Sequence, residues 1–170
     1  MNKYIHIYKQ GITMDYQAQL FQAIEQKNIK LIKSLVEMGA ELNELDPKLK
    51  TTPFIHAMKY FKKSDQIEKL IDMGGELNSK NYNGETPLMV AIQSNCEYIT
   101  PWVMVDMGAN LDTQDNNGNT AIMRLLMDKD LLKKKKLLYC LLDYKPDLTN
   151  IKNNKGQTCF DIMFALIMNN

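Results

Sequence analysis

The chain has 170 residues, 45% apolar and 24% charged, and its 21 basic and 20 acidic side chains leave a formal net charge of +1. That apolar fraction rules out wholesale disorder, and the charge balance offers no electrostatic footprint for nucleic acid. No apolar run reaches the roughly 18 residues that a membrane-spanning helix needs, so neither nucleic acid nor membrane is an expected partner. Residues 1–13 read as a tail in which Tyr4-Ile5-His6-Ile7-Tyr8 alternates weakly as a strand. Its apolar patch falls short of the roughly 7–15 residues of a signal-peptide core. Cys96, Cys140 and Cys159 are widely spaced and odd in number, which speaks against a disulfide framework or a zinc site. Free thiols fit a reducing compartment, so a cytoplasmic location is expected. Lys outnumbers Arg twenty to one and there are sixteen Asn, a bias read as AT-rich codon usage rather than chemistry.

From residue 14 onward the chain repeats itself. The first segment, 14–45, sets Leu20, Phe21, Ile24, Leu31, Leu35 and Val36 inward and Gln17, Gln19, Gln22, Glu25, Gln26, Lys27 and Lys30 outward, the profile of an N-terminal cap. Two landmarks then recur in phase. Thr52-Pro53-Phe54, Thr86-Pro87-Leu88, Thr120-Ala121-Ile122 and Thr158-Cys159-Phe160 are spaced by 34, 34 and 38 residues. Val36-Glu37-Met38-Gly39-Ala40, Ile71-Asp72-Met73-Gly74-Gly75, Val105-Asp106-Met107-Gly108-Ala109 and Leu142-Asp143-Tyr144-Lys145-Pro146 are spaced by 35, 34 and 37. Within 81–114, Asn81-Tyr82-Asn83-Gly84 is a turn, Thr86 caps a helix and Pro87 takes its first position. Leu88, Ala91 and Ile92 form its apolar stripe, and Asn95 ends it. A second helix carries Val103, Met104 and Val105 and stops at Gly108. Pro101 interrupts that helix or sits in its first turn. Met38, Met73 and Met107 share one slot before Gly and read as packing. The last segment supplies one helix, whose Phe160, Met163, Phe164 and Ile167 are expected to cover the end of the stack.

This pattern resembles the ankyrin repeat, with its DxxGxTPLHxA opening and its second helix ending in LLxxGAxxN. The closest stretch runs from Asn81 to Asn110 and on into Asp115-Asn116-Asn117-Gly118-Asn119-Thr120. The resemblance implies an all-α solenoid of stacked helix-turn-helix units with β-turn or hairpin-like loops. It covers a single domain over 14–170, with units at about 14–45, 46–80, 81–114, 115–152 and 153–170. The family's His is replaced by Ile55, Met89, Met123 and Asp161, and its Pro by Ala121 and Cys159. The turn at Asp46-Pro47-Lys48-Leu49-Lys50-Thr51 lacks Gly and is one residue longer. Unit four carries an insertion around Lys129-Asp130-Leu131-Leu132 before Lys133–Lys136. Asn43 and Asn78 take the Asn of GAxxN and are expected to hydrogen-bond in the loop.

No catalytic constellation appears. His6 and His56 are fifty residues apart, no glycine-rich phosphate loop exists, and the carboxylates are scattered over turns and helix ends. No enzyme activity, cofactor or metal is expected. The Lys133–Lys136 run reads as a solvated helix start, and Trp102 as either an exposed anchor or a packing residue. What the resemblance implies is a protein-binding module acting through a concave groove and turn tips, as adaptor or inhibitor. A secreted effector binding host proteins and a toxin-neutralising immunity protein are the alternatives. A monomer bound to another protein is expected. The turn row maps to Lys48, Leu49, Lys50, Tyr82, Asn83, Glu85, Asn116, Asn117, Asn119, Asn154, Lys155 and Gln157. The helix row maps to His56, Lys59, Tyr60, Val90, Gln93, Ser94, Arg124, Met127 and Asp128. Arg124, the sole arginine, is expected to face the groove within reach of Asp128 and to contact the partner, the other reading being an internal bridge to Asp161.

Overall fold

The computed structural model describes residues 15–94, 97 and 99–168. The expected strand-like tail with His6, and Asn95 as a helix end, lie outside the described residues. Nine helices occur among them: α1 (Tyr16–Glu25), α2 (Ile29–Glu37), α3 (Pro53–Ala57), α4 (Ser64–Asp72), α5 (Pro87–Gln93), α6 (Ile99–Asp106), α7 (Ala121–Leu126), α8 (Lys135–Leu142) and α9 (Cys159–Met168). The one β contact among these residues is an isolated bridge, Asp46 to Thr51. The class is all-α.

The first helices start where threonine meets the turn. The hydroxyls of Thr52, Thr86 and Thr120 accept from the backbone N–H of Ile55, Met89 and Met123, and Pro53 and Pro87 fill the first helical position. At the fourth start the Thr158 hydroxyl accepts from Asp161 N–H, while the Asp161 carboxylate takes the Thr158 N–H in return. Pro101 lies in the first turn of α6, where its missing N–H leaves no helical bond unmade.

The helices form two rows. α1, α3, α5, α7 and α9 pack in series, and α4, α6 and α8 pack in series beside them. The core runs between the rows through Leu20, Ile24, Ile32, Leu35, Phe54, Ile67, Leu70, Leu88, Met104, Ile122, Leu125 and Leu141. Nothing in this arrangement lets one helix pair bury both its faces, so stability comes from stacking.

Two expected faces differ in part. In α2 Leu35 is buried and Val36 packs against the core as expected, but Ile32 takes the buried place expected of Leu31, which is 37% exposed. In α9 Cys159 and Ile162 are buried, with Met163 and Leu166 packed against the core, whereas Phe160, Phe164 and Ile167 are exposed. The methionines that pack deepest are Met58, Met89, Met104 and Met123, in or just after helices; Met38 and Met107, before glycine, are 46% and 40% exposed.

The turns are stitched by asparagine, contrary to a pure codon-bias reading. The side-chain oxygens of Asn81, Asp115 and Asn153 each accept two N–H groups of their own turn, from Asn83 and Glu85, Asn117 and Asn119, and Lys155 and Gln157. Neighbouring turns then join: Tyr82 N–H donates to the Lys50 carbonyl, Asn116 N–H to Asn83 and Asn154 N–H to Asn117. The amides of Asn116 and Asn154 donate to Tyr82 and Asn116 carbonyls at 2.8 and 3.0 Å. This approach explains Gly84: a Cβ there would fall 2.5 Å from the Asn116 side-chain oxygen, and φ is +72°.

Further back, Asn43 clamps the next unit through Gly74 O (2.7 Å) and Glu76 N (2.9 Å). Asn78 does the same through Gly108 O (3.0 Å) and Asn110 N (2.8 Å). At the third such position stands Asp112, which accepts from Asp147 N–H at 3.0 Å and has no amide to donate.

Candidate functional site

Between α5, α7 and the turn tips lies an open groove of about 580 Å³. It gathers Asn83, Glu85, Gln93, Asn116, Asn117, Asn119, Arg124, Met127 and Asp128 from the expected surface, together with Asp115, which sequence reasoning did not single out. Its floor is an ion network. Arg124 Nη2 lies 2.6 Å from Glu85 Oε1 in the preceding turn, and Nη1 lies 2.9 Å from Asp115 Oδ2 at the head of its own turn. The Arg124, Glu85 and Asp115 side chains are 14%, 15% and 2% exposed, so this is a mostly desolvated triad.

Arg124 therefore does not pair with Asp128 or Asp161, and it is not a free cation awaiting a partner. The reason is local. Asn81 and Asn153 carry amide groups that bond Glu85 and Gln157, but Asp115 at the same turn position is a carboxylate with no donor. A buried carboxylate needs a cation, and the helix position one turn in supplies the guanidinium. The signal was present in the sequence: the sole Arg follows the Asp-headed Asp115 turn in the same unit, with Glu85 one repeat earlier.

Burial opposes ionisation of Glu85, but the Asn81 hydrogen bond and the Arg124 charge outweigh it and hold its carboxyl below the ordinary range. Asp128 is likewise held low, against burial, chiefly by Lys134 at 2.6 Å. Lys134 also donates to the Ile92 carbonyl at the end of α5, at 2.8 Å, and its side chain is 11% exposed. One lysine of the Lys133–Lys136 run is thus a buried tie and not a solvated one.

Other expected site residues fall elsewhere. Val90 is buried, and so is His56. The groove face of α3 is closed by Phe21 and Tyr60, whose rings stand 5.3 and 5.1 Å from the imidazole. His56 Nε2 bonds Glu25 Oε1 at 3.1 Å, shared with the Tyr60 hydroxyl at 3.3 Å, and Nδ1 is buried without a partner. Lys48, Lys50, Lys59, Tyr82 and Lys155 are exposed outside the groove, and Tyr60 is half-buried. Asn116, Asn119 and Asn154 also hold the stack together, which the expectation of a purely variable turn row missed. Trp102 is 38% exposed on the outer row.

The family model for ankyrin repeats, in three copies, matches residues 20–115. The chain belongs to the ankyrin-repeat family. No curated protein matches it. Ankyrin repeats are protein–protein interaction modules and a non-catalytic fold. Among the described residues of this ankyrin stack, no group of three or more His, Cys, Asp and Glu stands close enough to hold a metal ion. No described helix is long and apolar enough to cross a membrane.

Proposed function

We propose that residues 14–170 work as one stack of five units, at 14–45, 46–80, 81–114, 115–152 and 153–170, that docks a partner protein as adaptor or inhibitor. The docking surface is the groove over α5 and α7. The observation that supports this is the triad of Glu85, Arg124 and Asp115. It fixes the groove floor across two units, so the exposed side chains above it, Asn83, Gln93, Asn117 and Met127, are presented in a preset arrangement. Preorganised side chains lose little freedom on binding. Their chemistry is amide and thioether: donors and acceptors for a partner's backbone beside one adaptable apolar contact.

A photo-crosslinking side chain placed at Met127 tests this in extract of the source cell. Capture of one protein from Met127 but not from Asp72 on the outer row is expected. Gln93→Trp, which fills the groove from an exposed position, should cut that capture about tenfold or more. Equal capture from both positions, or indifference to Gln93→Trp, overturns the groove as the site.

A further inference from the structure

The outward side of α9 is a continuous apolar stripe. Phe160, Phe164, Ile167 and Met168 are 59%, 57%, 71% and 69% exposed. On this side each earlier first helix is covered by the next one, α1 by α3 and so on to α7 by α9. No described element covers α9. Single chains rarely leave so long an apolar surface in water without using it.

The stripe has a symmetry that selects its occupant. Phe160, Phe164 and Met168 lie at i, i+4 and i+8 on one ridge, centred on Phe164. Laid antiparallel on a copy of itself, Phe164 meets the partner's Phe164 and Phe160 meets the partner's Met168, a favourable sulfur–aromatic pairing. Asp161, the sole charged residue of α9, is turned to its own helix start, its Oδ2 bonded to Thr158 N and Oγ1 at 2.8 and 2.7 Å. A net charge of +1 gives two copies almost no mutual repulsion. Among the described residues the opposite end of the stack is no match, because α1 exposes Ala18 and Gln22 and ends on the exposed Gln26. Head-to-tail stacking would set phenylalanine against glutamine.

We propose that α9 is a self-association surface, and that two copies of this chain pair through it about a twofold axis at Phe164. Such an interface uses the same patch on both copies and closes at two. It leaves the groove over α5 and α7 open in each copy, so the pair is bivalent for a partner. This departs from the monomer expected from the sequence. One helix face is smaller than the roughly 800 Å² per partner of a standard interface, so the pairing is weak and concentration-dependent.

Sedimentation velocity over a range on the order of 1 to 300 µM tests it. The mass should rise from one chain to two and stop there. Phe164→Glu and Ile167→Glu, both at exposed positions, should each stay single over the whole range while keeping the helical circular-dichroism spectrum. A wild-type chain that stays single throughout overturns the proposal. So does growth beyond two, or a folded Phe164→Glu chain that pairs as the wild type does.

Discussion

Arg124 ties two units together, and its removal strands two carboxylates, one of them almost fully buried. Arg124→Ala should cost about 3 kcal/mol, the penalty of leaving a buried charge unpaired. In urea titrations, a double-mutant cycle with Glu85→Ala should show coupling of about 1–3 kcal/mol. Additive losses would mean that the ion pair is idle. His56 makes a separate prediction. Burial pushes its imidazole below the ordinary 6.5, and Lys59 adds to this against the raising effect of Glu25. A lowered histidine stabilises the fold above its unfolded value, and that contribution is lost as pH falls through 6.5 toward the folded value. His56→Phe should therefore lose less melting temperature between pH 7.5 and 5.5 than the wild type. It should change stability at pH 7.5 by under about 1 kcal/mol, since it also removes the orphan Nδ1. The sequence offers an internal bridge as the second reading of Arg124, but with Asp161 in place of Glu85 and Asp115, and it does not name the partner of His56. Each partner, Glu25 or Glu85, comes from a neighbouring unit, and single-helix periodicity does not see across units.

At the scale of the element, turn chemistry was the most legible feature, because Thr, Pro and Gly act on backbone dihedrals within a few residues. The four helix starts at Thr52, Thr86, Thr120 and Thr158 all hold. The faces of the terminal helices were less legible. α9 is apolar nearly all round, so a stripe through Phe160 fits the pattern as well as one through Ile162, and only packing against α7 decides. Two departures from the repeat carry a readable cost. Lys50 and Lys145 stand at φ +57° and +52°, where neighbouring units use glycine. Lys50→Gly should stabilise by about 1 kcal/mol by relieving the left-handed backbone. Asp112→Asn should add about 1 kcal/mol by supplying the missing donor, toward Lys145 O, the carbonyl matching Gly74 O and Gly108 O. Chemical denaturation checks both, and a loss of stability in Asp112→Asn would refute the clamp register.

The described residues form a one-dimensional stack whose units depend on their neighbours. Deleting residues 153–170 removes buried Cys159 and Ile162 and the Asn153 and Asn154 links to the turn before. The melting temperature should fall by several degrees, as expected for a loss of about 2 kcal/mol or more. An unchanged melting curve would mean that α9 supports nothing. The repeat period was readable from two landmarks in phase, and it led to the correct class. The groove was only half readable, since a row of variable positions does not say which side chains are consumed in holding turns together. In the proposed function the exposed side chains between α5 and α7 meet a partner protein. Amide hydrogen exchange of the chain, alone and bound to the protein captured at Met127, tests it most directly. Slowed exchange at 82–84, 116–118 and the ends of α5 and α7, with α4 and α8 unchanged, is the predicted footprint. Slowing confined to α4, α6 and α8 would contradict it and move the docking surface to the outer row.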